Sequence, residues 1–125
     1  MYTLGKRSRF NLSGVHPDLV KVVERAIEIT TVDFMVIEGL RTPERQKQLV
    51  EAGASQTLNS RHITGHAVDL AAYVGNELRW DWPLYPKIAS AMKTAAAELG
   101  VKIVSGVDWK MRDGPHHELD RKYYP

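Results

Sequence analysis

Hydrophobic spacing switches repeatedly between helical and extended periods along this chain, and that alternation limits the fold more than any other feature. From Pro17, a favoured first-turn residue, Leu19, Val22, Val23, Ala26 and Ile27 recur at helical spacing and predict one buried stripe. Lys21, Glu24, Arg25 and Glu28 fill the opposite, wet face. Residues 33–38 are short, apolar and β-prone, and Gly39 closes them. Thr42 and Pro43 read as cap and first turn of a second helix that runs to about Ala52 and stops at Gly53. Residues 54–59 read as a loop, 67–71 as a strand, and 75–77 as a hairpin turn into 78–80. A third helix is predicted over 87–99, with Ile88, Met92, Ala95 and Leu99 on one side and Gly100 at its end. Strands are expected at 101–104 and 116–119, separated by a loop holding Asp108 and Trp109. Ser8 and Arg9 are placed in a polar surface lead-in, and His16 as a cap or surface residue ahead of Pro17. The resulting order, α-β-α-β-β-α-β-β, predicts an α+β fold: a small central antiparallel sheet with packed helices.

At 125 residues the chain is expected to form a single domain, 1–125, large enough for one core. It has no cysteine, so disulfides, thiolate catalysis and cysteine-ligated metals are excluded. Seventeen basic residues against fifteen acidic ones leave a charge of +2, too weak to imply a nucleic-acid partner. The first eleven residues are polar and basic, without the apolar stretch of a secretory signal, and no run is long enough to insert in a membrane. A cytoplasmic location at synthesis is therefore expected.

The chemistry is concentrated in two segments. Ser60-Arg61-His62-Ile63-Thr64-Gly65-His66-Ala67-Val68-Asp69 sets an imidazole and a carboxylate seven residues apart. Asp113-Gly114-Pro115-His116-His117-Glu118 supplies the same residue types near the other end. If His62, Asp69 and His116 bind one Zn²⁺, three ligands leave a fourth position for water, the arrangement of a catalytic site. Asp113, three residues before His116, is then the candidate proton acceptor. Gly65 offers the bend that would turn His62 and Asp69 to one side, since residues seven apart on a straight strand face oppositely. His62 and His66 share the spacing of a helical zinc pair, but Ile63 stands where that motif needs Glu. On spacing alone, surface or capping roles for His62 and Asp69 and a simple turn at Asp113-Gly114 explain these residues equally well.

Ser60-x-His62-x-x-Gly65-x-Ala67-x-Asp69 resembles the S-x-H-x-x-G-x-A-x-D signature of the D-alanyl-D-alanine-type zinc metallopeptidases, and Asp113-x-x-His116 resembles their second element. Glu38-Gly39-Leu40-Arg41-Thr42 and Ser105-Gly106-Val107-Asp108-Trp109 are most similar to the phage endolysin branch, the L-alanyl-D-glutamate peptidases. The resemblance covers residues 20–119. It implies a hedgehog/D-Ala-D-Ala peptidase-like fold, Zn²⁺ as cofactor with His62, Asp69 and His116 as ligands, Asp113 as acid/base, and Arg41 as an arginine that helps bind or polarise the scissile carbonyl. Many relatives carry Glu at the Asp113 position. His66 and His117 fall where relatives vary.

Other residues keep two readings. Ser60 is either a substrate contact or a loop cap. Trp109 either lines the substrate groove or packs at a rim. Glu118 either supports a zinc histidine or is a surface strand carboxylate.

The expected function is a zinc metallopeptidase, an endolysin cleaving peptidoglycan stems, with L-Ala–D-Glu as the preferred bond on the branch resemblance alone. It is expected to be a monomer that waits in the host cytoplasm until lysis and reaches the periplasmic wall with a separate holin-like partner. The alternatives are a D-Ala-D-Ala carboxypeptidase or dipeptidase, and a non-catalytic cell-wall-binding module.

Overall fold

A computed structural model describes residues 1–55, 57 and 60–125; the predicted loop at 54–59 therefore lies partly outside the described residues. Helices α1 (Lys6–Asn11) and α2 (Pro17–Ile29) precede strand β1 (Phe34–Glu38) and helix α3 (Pro43–Glu51). Strands β2 (Ala67–Val74) and β3 (Glu77–Arg79) form a hairpin. A short 3₁₀ turn (Trp82–Leu84) then leads into α4 (Tyr85–Leu99), β4 (Ile103–Ser105), a second 3₁₀ turn (Gly106–Asp108) and β5 (His116–Leu119). The strands make one antiparallel sheet in the order β1-β2-β5-β4, with β3 also pairing β2. This is the expected α+β class.

One face of the sheet is covered by α2 and α4. Leu19, Val22, Val23, Ala26 and Ile27 of α2 are all buried, as their spacing required. They meet Ile88, Met92, Ala95 and Ala96 of α4 over Val36, Val68, Leu70 and Leu119 of the sheet. Burial of such side chains, worth roughly 1.5–3 kcal/mol each, is the main force holding helices to sheet. The caps agree with the sequence: Nδ1 of His16 accepts from the Asp18 amide, and the Thr42 hydroxyl from the Arg45 amide. Gly100 ends α4 in the left-handed conformation at φ 69°.

Four expectations are corrected. The lead-in is not irregular surface chain: residues 6–11 form α1, and Ser8 is buried. The Ser8 hydroxyl accepts from the Val36 amide at 3.0 Å, and the Asn11 side chain donates to the Val36 carbonyl at 2.8 Å. β1 is an edge strand, so α1 satisfies backbone groups that would otherwise be left open. Helix α4 begins at Tyr85, two residues before 87, because Pro86 can occupy its first turn. Leu99 lies 45% exposed at the end of α4, where the helix outruns the sheet. The strand expected at 101–104 pairs only over Ile103–Ser105, opposite Leu119, Glu118 and His117.

Candidate active site

β2 lies between β1 and β5, and the register sets Glu38 opposite Asp69 and Asp69 opposite His116. Simple alternation would put Glu38 on the helix-covered face with Phe34 and Val36. The pairing shifts between Val36 and Glu38, and the extra residue turns Glu38 to the other face, beside Asp69. His62 arrives from a turn ahead of β2. Gly65 bends that turn at φ 75°, and a Cβ there would lie 2.5 Å from the Gly14 carbonyl oxygen, so glycine is required on two counts.

The two rings converge on one oxygen. His62 Nε2 stands 3.3 Å and His116 Nδ1 3.4 Å from Asp69 Oδ1. Ligand atoms of the three residues all lie within 4.8 Å of one another. A tetrahedral site with bonds of about 2.1 Å has corners about 3.4 Å apart, so these separations suit a small cation. The outward nitrogens are also committed. His62 Nδ1 donates to the Gly39 carbonyl at 2.9 Å, and His116 Nε2 donates to Glu118 Oε1 at 2.9 Å. A carbonyl and a carboxylate can only accept, so each ring, when neutral, carries its proton on the outer nitrogen and turns its lone pair toward Asp69. Gly39 can offer its carbonyl there because it packs on α1, where a Cβ would come within 2.0 Å of the Asn11 oxygen. The donor set fits a divalent metal.

Electrostatics follow the geometry. Burial opposes ionisation of Asp69, but His116 and His62 outweigh it and hold the carboxyl well below the usual carboxylate range. Burial likewise opposes charge on His116, yet Asp69 and Glu118 push its pKa up to about 9 in the metal-free protein. Glu118 is itself held ionised by His116, Arg121 and Arg61 against its burial. Asp113 shifts the other way: the surrounding protein and then the Asp69 charge raise its pKa. Such a carboxylate retains a proton more readily than an exposed one. A tight turn fixes it, with the Asp113 carbonyl accepting from the His116 amide at 3.2 Å and its amide donating to Gly106 at 3.0 Å.

Arg41 is one of the most constrained side chains. Its guanidinium grips Glu38 through two bonds of 2.7 and 2.6 Å, donates to Gln46 at 2.7 Å, and stands 3.7 Å from Asp69 Oδ2. Asp69 is thus held by a cation on one oxygen and presents the other to both imidazoles. The Ser60 hydroxyl accepts from the His62 amide at 3.2 Å, and the Trp109 ring lies 4.9 Å from the His116 ring. Arg41, Ser60, His62, Asp69, Trp109, Asp113, His116 and Glu118 line one cleft of about 810 Å³.

The sequence model of the phage L-alanyl-D-glutamate peptidases matches residues 1–125. The chain belongs to that family. It is 35% identical over 127 residues to the L-alanyl-D-glutamate peptidase of Escherichia phage T5, covering 98% of this chain and 93% of the relative. The L-alanyl-D-glutamate peptidase of Listeria phage A118 is 32% identical over 98 residues, 78% of this chain and 34% of the longer relative. The crystal structure of the Serratia marcescens L-Ala D-Glu endopeptidase ChiX superposes with a TM-score of 0.92 at 49% identity, covering 96% of this chain and 91% of that one.

Within this family member, three supporting residues carried no sequence signal. Gln46 is fully buried under α3 and joins Arg41 to the Ser55 hydroxyl and the Thr57 carbonyl. Arg61 donates to the carbonyls of Leu119 and Tyr124, tying the C-terminal segment down beside Glu118, 3.7 Å away. Tyr85 packs under the Gly114 turn, where a Cβ on Gly114 would come within 2.8 Å of its ring. Glu118 resolves toward support of His116. His66 stays outside the cluster, its ring 5.5 Å from that of His16.

Proposed function

We propose that this chain is a zinc-dependent endolysin that hydrolyses the L-Ala–D-Glu bond of bacterial peptidoglycan stems, with residues 1–125 as a single catalytic domain. The observation that carries the reading is the convergence of His62 Nε2, His116 Nδ1 and Asp69 Oδ1, with Asp113 lining the same cleft, in a member of this peptidase family.

His62, Asp69 and His116 would hold the ion. Zinc so held supplies Lewis acidity, making a water nucleophilic near neutral pH and polarising the scissile carbonyl. Asp113 takes the proton of the attacking water on its carboxylate and returns it to the departing amine. Arg41 acts through its charge: it fixes Asp69 and adds positive potential at the floor where the oxyanion develops. Ser60 holds the His62 backbone and Trp109 walls the cleft beside His116, and both line the space in which a stem peptide would lie. Glu118 keeps the His116 lone pair turned inward.

Among the described residues no helix is long and apolar enough to cross a membrane. Acting as a monomer, the protein would accumulate in the host cytoplasm and reach the wall once a separate holin-like protein opens the membrane. Digestion of purified peptidoglycan with and without chelator tests the function. The expected products are new D-glutamate amino termini that vanish on chelation and return with zinc. Free D-alanine or its dipeptide would contradict the bond choice, and zinc-dependent binding to the wall without new amino groups would make the chain a binding module.

A further inference from the structure

Four arginines line the cleft: Arg41, Arg61, Arg112 and Arg121. Three of them face the protein's own carboxylates. Arg41 is paired with Glu38, and both Arg61 and Arg121 stand 3.7 Å from Glu118. Arg112 makes no ion pair or hydrogen bond with any described residue. Its guanidinium carbon lies 4.7 Å from the centre of the Trp82 ring. That ring is in turn supported by Tyr85, centroid to centroid 6.0 Å. A guanidinium attracted to a ring face spends none of its N–H donors, which lie in its own plane. Arg112 is therefore held against the ring with no described residue taking up its donors, and a guanidinium left so can recognise a carboxylate through two parallel bonds.

The substrate offers a suitable group next to the scissile bond. In a stem cut between L-Ala and D-Glu, glutamate continues the peptide through its γ-carboxyl, which leaves its α-carboxylate ionised. That carboxylate sits on the carbon bearing the scissile nitrogen, two bonds from the atom that receives a proton from Asp113. A cation that reads it must line the same cleft as Asp113, and Arg112, the residue before it, does so. The other candidate cation, Arg41, is consumed by Glu38 and Gln46.

We propose that Arg112, braced by Trp82, binds the free α-carboxylate on the amine side of the scissile bond and so makes the cleft select D-glutamate over its α-amide. The inference rests on the L-Ala–D-Glu reading above and adds to it a subsite for an anionic group.

Two muramyl peptides that differ only in this group, one with D-glutamate and one with D-isoglutamine, test it on the zinc-loaded enzyme. Loss of a charge-assisted pair predicts that wild type favours the acid by about tenfold or more in kcat/KM, chiefly through KM. Arg112→Gln should bring the acid-to-amide ratio near unity, and Arg112→Lys should keep part of the preference. Lys110→Gln removes the same charge from an exposed residue outside the cleft and should keep the wild-type ratio. Equal cleavage of both peptides by wild type, or an undiminished preference in Arg112→Gln, overturns the subsite. Cleavage of neither peptide by an enzyme that does digest whole peptidoglycan overturns the bond assignment instead, and the subsite with it.

Discussion

His116 and His117 are neighbours on β5 with opposite fates. His116 faces the cleft, bonded to Glu118 and beside Asp69, and its pKa is pushed up to about 9. His117 faces the helices, fully buried, and desolvation and then the nearby His116 charge drive its pKa down to about 3. The Ser105 hydroxyl, 2.9 Å from His117 Nδ1, is its hydrogen-bond partner. The difference comes from the strand's two-residue period, which sends adjacent side chains to opposite faces of the sheet. One face is a polar floor on which charges are arranged, and the other is a packed core that tolerates only a neutral ring. Residue type is thus a poor guide to role until the face is known.

Breaking the polar face should have the largest effect. His116→Ala is expected to lose both bound zinc and peptidoglycan hydrolysis, read by metal analysis and release of amino groups. His117→Ala should instead retain zinc and melt at lower temperature, costing roughly 2–4 kcal/mol for a cavity and an orphaned Ser105. If the two variants exchanged these phenotypes, the assignment of faces would be wrong.

Asp113→Ala separates proton transfer from metal binding on the same face. It should keep zinc while turnover falls by about 10²–10⁴, the usual contribution of a positioned acid/base group. Loss of zinc would make Asp113 a ligand.

Glu118→Gln sharpens the comparison further, because it keeps an acceptor for His116 and removes only the charge. Zinc affinity, measured by competition with a chromogenic chelator, should weaken by about 10- to 100-fold. Unchanged affinity would reduce Glu118 to a packing residue.

A last expected effect is a pH dependence of the metal-free fold. His116 has its ordinary pKa of 6.5 when unfolded and about 9 when folded. Its contribution to stability is full below 6.5 and is lost as pH rises through about 9. His117, lowered toward 3, is neutral in both states above 6.5 and adds nothing in that window. The melting temperature should fall from pH 6.5 to 9 in the metal-free wild type and stay flat there in His116→Ala; a decline common to both would point to other groups.

Much of this was readable in advance where the determinant is local. The α2 stripe, the Thr42 and His16 caps and the Gly100 stop depend on residues within a turn or two of one another. His62 and Asp69 could be paired because Gly65 marks the bend between them. Helix α1 was missed because six residues give too little periodicity, and what stabilises it is remote: Ser8 and Asn11 bond to Val36 across the fold. Gln46 lies on a polar helix and showed no sign of being buried under Arg41.

By itself the chain determined most of its alternation of helices and strands, the residue types of the His62, Asp69 and His116 cluster, and a carboxylate three residues before His116, since these follow from short-range spacing and side-chain chemistry. Only the tertiary structure decided which face each strand residue takes, that the irregular pairing after Val36 swings Glu38 toward Arg41, and that Glu118 and Gly39 hold the two imidazoles. Those outcomes depend on register between segments far apart in sequence, and register is settled when the apolar face is buried as a whole.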